Sequence, residues 1–184
     1  MRDTVLMDSP AVRRNLARLV QAITRRLGNV EALGLIGIRA RGDVLAKRLQ
    51  VALELKRRGR VPVGALDISV YRDDFDALKE EIRVRGSQID FDVHGRHIVL
   101  VDDVLFTGRS ARAAIDAVVA LGRPASLTLA VLVDRGHREM PIQADFVGRA
   151  VKTKRDEQIE VQLTEVDGAD RVMLRRSGDR RRPA

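Results

Sequence analysis

One stretch constrains this chain more than any other: Ile98-Val99-Leu100-Val101-Asp102-Asp103-Val104-Leu105-Phe106-Thr107-Gly108-Arg109-Ser110. Four consecutive apolar residues read as a buried strand. Two adjacent carboxylates follow, then a Thr-Gly-Arg-Ser turn, then a helical pattern from Ala111 to Val119. Amide N–H groups at a helix start carry partial positive charge and suit a phosphate. Thr107 and Ser110 add hydroxyls, and Gly108 lets backbone approach closely. Asp102 and Asp103 stand where they can accept hydrogen bonds from vicinal sugar hydroxyls. The expected ligand is a ribose 5-phosphate rather than a nucleoside triphosphate. A carboxylate at a strand end often only caps a helix or meets water. Here it lies at a strand's carboxyl end, where open α/β sheets bind ligands.

The rest of the chain alternates the same way. Helical spacing over Ser9–Leu27 and from Asp43 to Leu55 separates apolar strands at Leu33–Ile38 and Val61–Val70. Strand 97–102, helix 110–121, strand 126–133, a short strand 145–148 and a hairpin of 158–166 with 171–174 follow. Residues 75–95 are charged and irregular; alternation at Ile82–Arg85 and Ile89–Val93 suggests a two-stranded arm. A charged loop of that length in a compact domain suits an active-site lid. Alternating β and α elements imply a mostly parallel sheet flanked by helices. Three loops, 39–43, 102–110 and 134–138, are then expected to converge on one crevice.

Composition narrows the chemistry. The chain has no cysteine and three histidines, which excludes disulfides and leaves too little for a zinc cage. With no tryptophan and one tyrosine, Tyr71, a row of aromatics stacking on bases is excluded. No apolar run approaches a membrane span and no signal segment opens the chain, so a soluble cytoplasmic protein is expected. Residues 171–184 hold six arginines and one aspartate, so five of the eight net positive charges lie there. The tail 175–184 reads as a basic, disordered end.

The loops suit transfer from an activated ribose. Breaking a ribose–pyrophosphate bond needs a stabilised leaving group and a tolerated oxocarbenium-like charge, with no covalent nucleophile. Arg41, beside Gly42, is placed to bind pyrophosphate bidentately. Arg72, Arg83 and Arg85 on the lid would close over the leaving group and exclude water. The base is expected to be read mainly by backbone around 134–142, with Arg135 at the pyrophosphate or the base. His137 more often suits a structural hydrogen bond than catalysis.

The 98–110 block resembles the phosphoribosyl-pyrophosphate (PRPP) signature of the type I phosphoribosyltransferases. Further pieces are similar to one family, PyrR, the pyrimidine-operon attenuators that are also uracil phosphoribosyltransferases. They are Val12-Arg13-Arg14, Gly37-Ile38-Arg39-Ala40-Arg41-Gly42, Asp67 to Asp74 with its Tyr-Arg-Asp-Asp, Gly122-Arg123-Pro124, Leu129 to Ile142, Ala144 to Gly148 and Glu165-Val166-Asp167. The resemblance implies a type I fold: a twisted, mostly parallel sheet with flanking helices, a β-arm lid over 71–95 and a small hood from about 134 to 174, in one domain over 1–174. It implies uracil plus PRPP giving UMP and pyrophosphate with Mg²⁺, and UMP- or UTP-promoted binding of a pyr-operon mRNA leader hairpin. Homodimers, or tetramers and hexamers, are implied too.

Carried onto this chain, the resemblance assigns catalysis to Asp102, Asp103, Arg41 and Arg72. PRPP or nucleotide falls to Arg41, Gly42, Asp102, Asp103, Val104, Leu105, Phe106, Thr107, Gly108, Arg109, Ser110 and Arg135. Uracil falls to Val133, Asp134, Arg135, Pro141 and Ile142. RNA falls to Arg14, Arg18, His137, Arg138, Arg149 and Lys152. Mg²⁺ would meet Asp102 and Asp103 mainly through water and PRPP. The chain departs from the family at Phe106 and Ala40, where tyrosine and threonine are usual, at Ser110, where threonine is usual, and at Val151-Lys152-Thr153-Lys154-Arg155. Two other readings fit the residues: an RNA-binding regulator with little turnover, and a purine phosphoribosyltransferase.

Overall fold

The computed structural model describes residues 3–28, 32–57, 59–68 and 86–176. Its elements are β1 (Thr4–Met7), α1 (Ser9–Leu27), β2 (Leu33–Ile38), α2 (Gly42–Arg57), β3 (Val63–Leu66), β4 (His97–Leu105), α3 (Arg109–Leu121), β5 (Ser126–Asp134), β6 (Phe146–Ala150), β7 (Gln158–Gln162), α4 (Thr164–Asp167) and β8 (Arg171–Arg175). Five strands form a parallel sheet in the order β3-β2-β4-β5-β6. Every residue of β2 is buried, as a strand covered on both faces must be. Leu16, Leu19 and Ile23 of α1 and Leu45, Leu49 and Leu53 of α2 pack in one apolar cluster on one face. Ala111, Ala114, Ala117 and Val118 of α3 pack in a second cluster on the other. Successive strands leave β2 towards β3 in one direction and β4 towards β5 and β6 in the other. The order thus reverses between β2 and β4, and a crevice opens at their carboxyl ends.

A separate antiparallel sheet, β1-β8-β7, stands beside this one. Strand β1 escaped the sequence reading: four residues with one buried position carry no usable period. The predicted strand across 158–166 ends at Gln162. Leu163 is fully buried, and 164–167 turn into α4. Arg175, assigned to the tail by sequence, closes β8 and pairs with Glu160 and Asp3. The short strand predicted at 145–148 runs over Phe146–Ala150 as an edge of the parallel sheet.

The arm predicted at 89–93 is not a strand. Only a single bridge, Ala65 to Gln88, pairs there. Val93 is buried, and Ile89 and Phe91 pack partly buried against the α3-side cluster, so their alternation reflects plugging of a loop into the core. The other half of the arm, Ile82 to Arg85, lies outside the described residues, as do Arg72 and 177–184. No helix among the described residues is long and apolar enough to cross a membrane.

One glycine ties the sheet to the crevice. A Cβ on Gly37 would lie 2.3 Å from the Asp43 Cα and 2.4 Å from the Gly42 carbonyl oxygen, so the 39–42 turn folds directly back over β2. Gly37→Ala should destabilise the fold by about 1–3 kcal/mol, as overpacking does, read as a lower midpoint of chemical unfolding. A midpoint equal to wild type would contradict that contact.

Candidate active site

Strand β4 runs three residues past its predicted end at 102, so Asp103 as well as Asp102 is a strand residue at its carboxyl end. They form one wall of a cavity of about 230 Å³, lined also by Ile38, Arg39, Asp67, Ile68, Val104 and Ser110. The carboxyl ends of β2, β3 and β4 and the start of α3 all contribute. Asp102 is 8% exposed. Burial pushes its carboxyl well above the ordinary carboxylate range, and the neighbouring Asp103 pushes it further. Burial also raises Asp103, against the backbone N–H of Val104 and the positive charge of Arg41. Asp102 accepts the Asp103 N–H (2.9 Å) and Asp103 the Val104 N–H (2.8 Å).

The turn after β4 opens α3 at Gly108, which has φ +92° and supplies no capping side chain. A residue with a Cβ is strained there, and among the described residues the side-chain acceptor at the helix start is the Thr107 hydroxyl, which takes the Arg109 N–H at a long 3.4 Å. Gly108 itself is buried, its Cβ position 3.1 Å from that of Met140. Thr107 lends its carbonyl to the N–H groups of Glu139 (2.9 Å) and Met140 (3.0 Å), which packs the phosphate turn against the 134–142 loop.

That loop is braced by its own arginines. Arg138 donates to the carbonyls of Ile142 (3.0 Å), Phe106 (2.8 Å) and Gly136 (3.1 Å) and pairs with Asp134. Its guanidinium is therefore committed inside the protein, unlike the RNA-facing role carried over by sequence. Arg135 is 5% exposed and lies 4.1 Å from the centroid of the Phe106 ring. It donates to the Thr153 hydroxyl (3.1 Å) and the Lys154 carbonyl (2.8 Å), and burial lowers its pKa. His137, at φ +62°, donates from Nε2 to the Thr153 carbonyl (2.7 Å) and meets Phe106 edge-on. Val133 is buried and Ile142 half-buried, while Pro141 is exposed.

At the turn after β2, Arg41 pairs with both oxygens of Asp167 (Nε to Oδ2 3.1 Å, Nη2 to Oδ1 2.8 Å). The arginine that walls the cavity is Arg39, which sequence reading passed over. Its Nη2 donates to Gln88 (3.3 Å), and its Nε is buried without a hydrogen-bond partner. Its place, directly after β2, was the available signal; Arg41 beside Gly42 simply looked stronger.

Among the described residues no three His, Cys, Asp or Glu side chains group as a metal cage. The Asp102–Asp103 pair still suits a divalent cation that draws its other oxygens from ligand and water.

Comparison with known proteins decides the family. Residues 4–167 match the phosphoribosyl transferase domain. The bifunctional protein PyrR of Roseiflexus sp. is 51% identical over 91% of this chain and 92% of its own, and that of Thermus aquaticus is 52% identical over 92% and 93%. The chain belongs to the PyrR family of phosphoribosyltransferases. Its sheet and flanking helices are the type I phosphoribosyltransferase fold. A hypoxanthine phosphoribosyltransferase of Trypanosoma cruzi superposes with a TM-score of 0.70 at 17% identity, over 94% of this chain and 96% of its own.

A PyrR-family member that buries two acids for its ligand should gain stability when one is neutralised. The folded Asp102 carboxyl holds its proton more tightly than the unfolded chain does, so folding weakens as pH rises from the ordinary value of 3.8 through the raised one. Asp102→Asn should raise the melting temperature at neutral pH, with the gain shrinking as pH falls towards 3.8. A variant less stable than wild type at neutral pH would contradict the desolvation.

Proposed function

We infer that this crevice transfers the ribose 5-phosphate of PRPP to uracil, giving UMP and pyrophosphate, and that the same protein binds RNA as a pyrimidine-responsive regulator. The observation that carries the enzymatic reading is the buried acid pair next to a helix start whose N-cap, Gly108, supplies no side chain, at the sheet's reversal point. The 5-phosphate rests on the amides that open α3, with Thr107 and Ser110 beside it. Asp102 and Asp103 accept the ribose hydroxyls, and their negative field favours the positive charge that develops at the sugar carbon as the pyrophosphate bond loosens. Arg39 and Arg41 receive the leaving pyrophosphate. Backbone of the 134–142 loop reads the base, with Arg135 and Phe106 forming its firm wall. Asp102 and Asp103 would hold Mg²⁺, which when bound would neutralise charge on the leaving pyrophosphate.

PyrR kinship favours uracil over a purine, because the likeness to hypoxanthine enzymes extends to the fold alone. Incubation with PRPP and uracil, hypoxanthine or guanine in competition should give UMP. Purine nucleotide without UMP would defeat the assignment. Asp103→Asn should keep its far-UV circular dichroism while UMP formation falls by about 100-fold or more.

For RNA, the favoured surface joins α1 to the β6 edge. Arg14 and Arg18 are exposed on α1, and Arg149 and Lys152 are exposed on β6 and the segment after it. Mobility-shift titration with a pyr-leader hairpin should show UMP-enhanced binding that weakens steeply with salt. Arg14→Ala should lower that affinity and reduce the salt slope by about one, leaving UMP synthesis intact. Unchanged RNA affinity would remove Arg14 from the interface.

A further inference from the structure

Arg41, just ahead of α2, and Arg48, seven residues on, lie two helical turns apart and so share one face of that helix. Both reach the short hood segment that contains α4. Arg48 binds Glu165 through Nε (2.9 Å) and Asp170 through Nη1 (2.8 Å) and Nη2 (2.7 Å). Among the described residues Arg41 hydrogen-bonds through its side chain to Asp167, with the two-pronged geometry described above. Leu163 anchors the segment in the core, but α4 itself has no buried residue and Val166 is 53% exposed, so its contacts with Arg41 and Arg48 are ones of charge. The other charges acting on Arg41, Asp103 and Glu160, are also negative. Meanwhile Arg39, not Arg41, walls the cavity.

A guanidinium fork fits a phosphate as well as a carboxylate, and one edge cannot serve both at once. We propose that Asp167 is a positioning residue for the pyrophosphate subsite, an internal anion that holds Arg41 against the hood and yields it when pyrophosphate arrives. Ligands bearing pyrophosphate then meet a competitor that a nucleoside monophosphate does not, which sets their relative affinities. The proposal rests on reading the 39–43 turn as the pyrophosphate loop. Asp167 also accepts the Leu163 N–H (2.9 Å), a bond that an asparagine oxygen preserves.

Calorimetric titration with inorganic pyrophosphate and, separately, UMP, each with magnesium, tests it. Asp167→Asn should bind pyrophosphate about fivefold tighter, the equivalent of the ~1 kcal/mol of a partly exposed ion pair, with UMP affinity unchanged. The KM for PRPP should fall while that for uracil stays put. Asp167→Glu, which restores the carboxylate, should behave as wild type. Glu165→Gln loosens α4 from Arg48 but leaves the Arg41 pair, so its pyrophosphate affinity should not move. Unchanged or weaker pyrophosphate binding in Asp167→Asn overturns the proposal, as does equal tightening of both ligands or the same gain in Glu165→Gln. Wild-type protein that binds neither ligand overturns the functional reading and this proposal with it.

Discussion

Two adjacent carboxylates buried at the end of a central strand set the terms for the rest of the molecule. Taking an ionised group out of water costs several kcal/mol unless something compensates it. Among the described residues the compensation is partial: two backbone N–H groups and the field of Arg41. The remainder shows as carboxyl groups held above their ordinary pKa. An aliphatic core must carry that load, because aromatics make up only 3% of the chain. Two clusters, one on each face of the sheet, hold β4 between β2 and β5 and keep the acids where strand pairing puts them.

Much of this was legible in the residues. Long apolar runs gave β2, β4 and β5, and helical spacing gave α1, α2 and α3, because burial on both faces of a parallel sheet leaves an unambiguous composition. The meeting of the 39–43 and 102–110 loops at the cavity followed from the β/α alternation, whereas the 134–138 loop packs behind the 107–110 turn and lines none of it. What failed has a common cause: short elements take their form from distant partners. The strand β1 exists because β8 lies beside it. The 89–93 alternation mimics a strand because Phe91 and Val93 plug against residues such as Gly34 and Gly122.

Charge networks were the other blind spot. Eight of the candidate residues are arginines, and sequence treats them alike, yet the fold gives those it describes different work. Arg138 is spent on bracing, Arg135 is stacked on Phe106, Arg41 is held by Asp167, and Arg14 and Arg18 face outward. Burial and acceptor geometry separate these roles, and neither can be read from spacing.

The base loop and the basic segment after β6 are also mechanically one unit. Arg135 and His137 both bind Thr153, Arg135 also binds the Lys154 carbonyl, and Glu139 pairs with Arg109 on the phosphate side and with Arg155 on the other. A base seated against Arg135, or a phosphate that draws on Arg109, therefore acts on contacts that also hold residues 153–155. The 134–142 loop and residues 153–155 move as one, so a change at Arg135 or Glu139 reaches the basic surface without direct contact. Any ligand that shifts Arg135 or Glu139 must break or remake bonds to that segment, and interactions coupled this directly are expected to be non-additive.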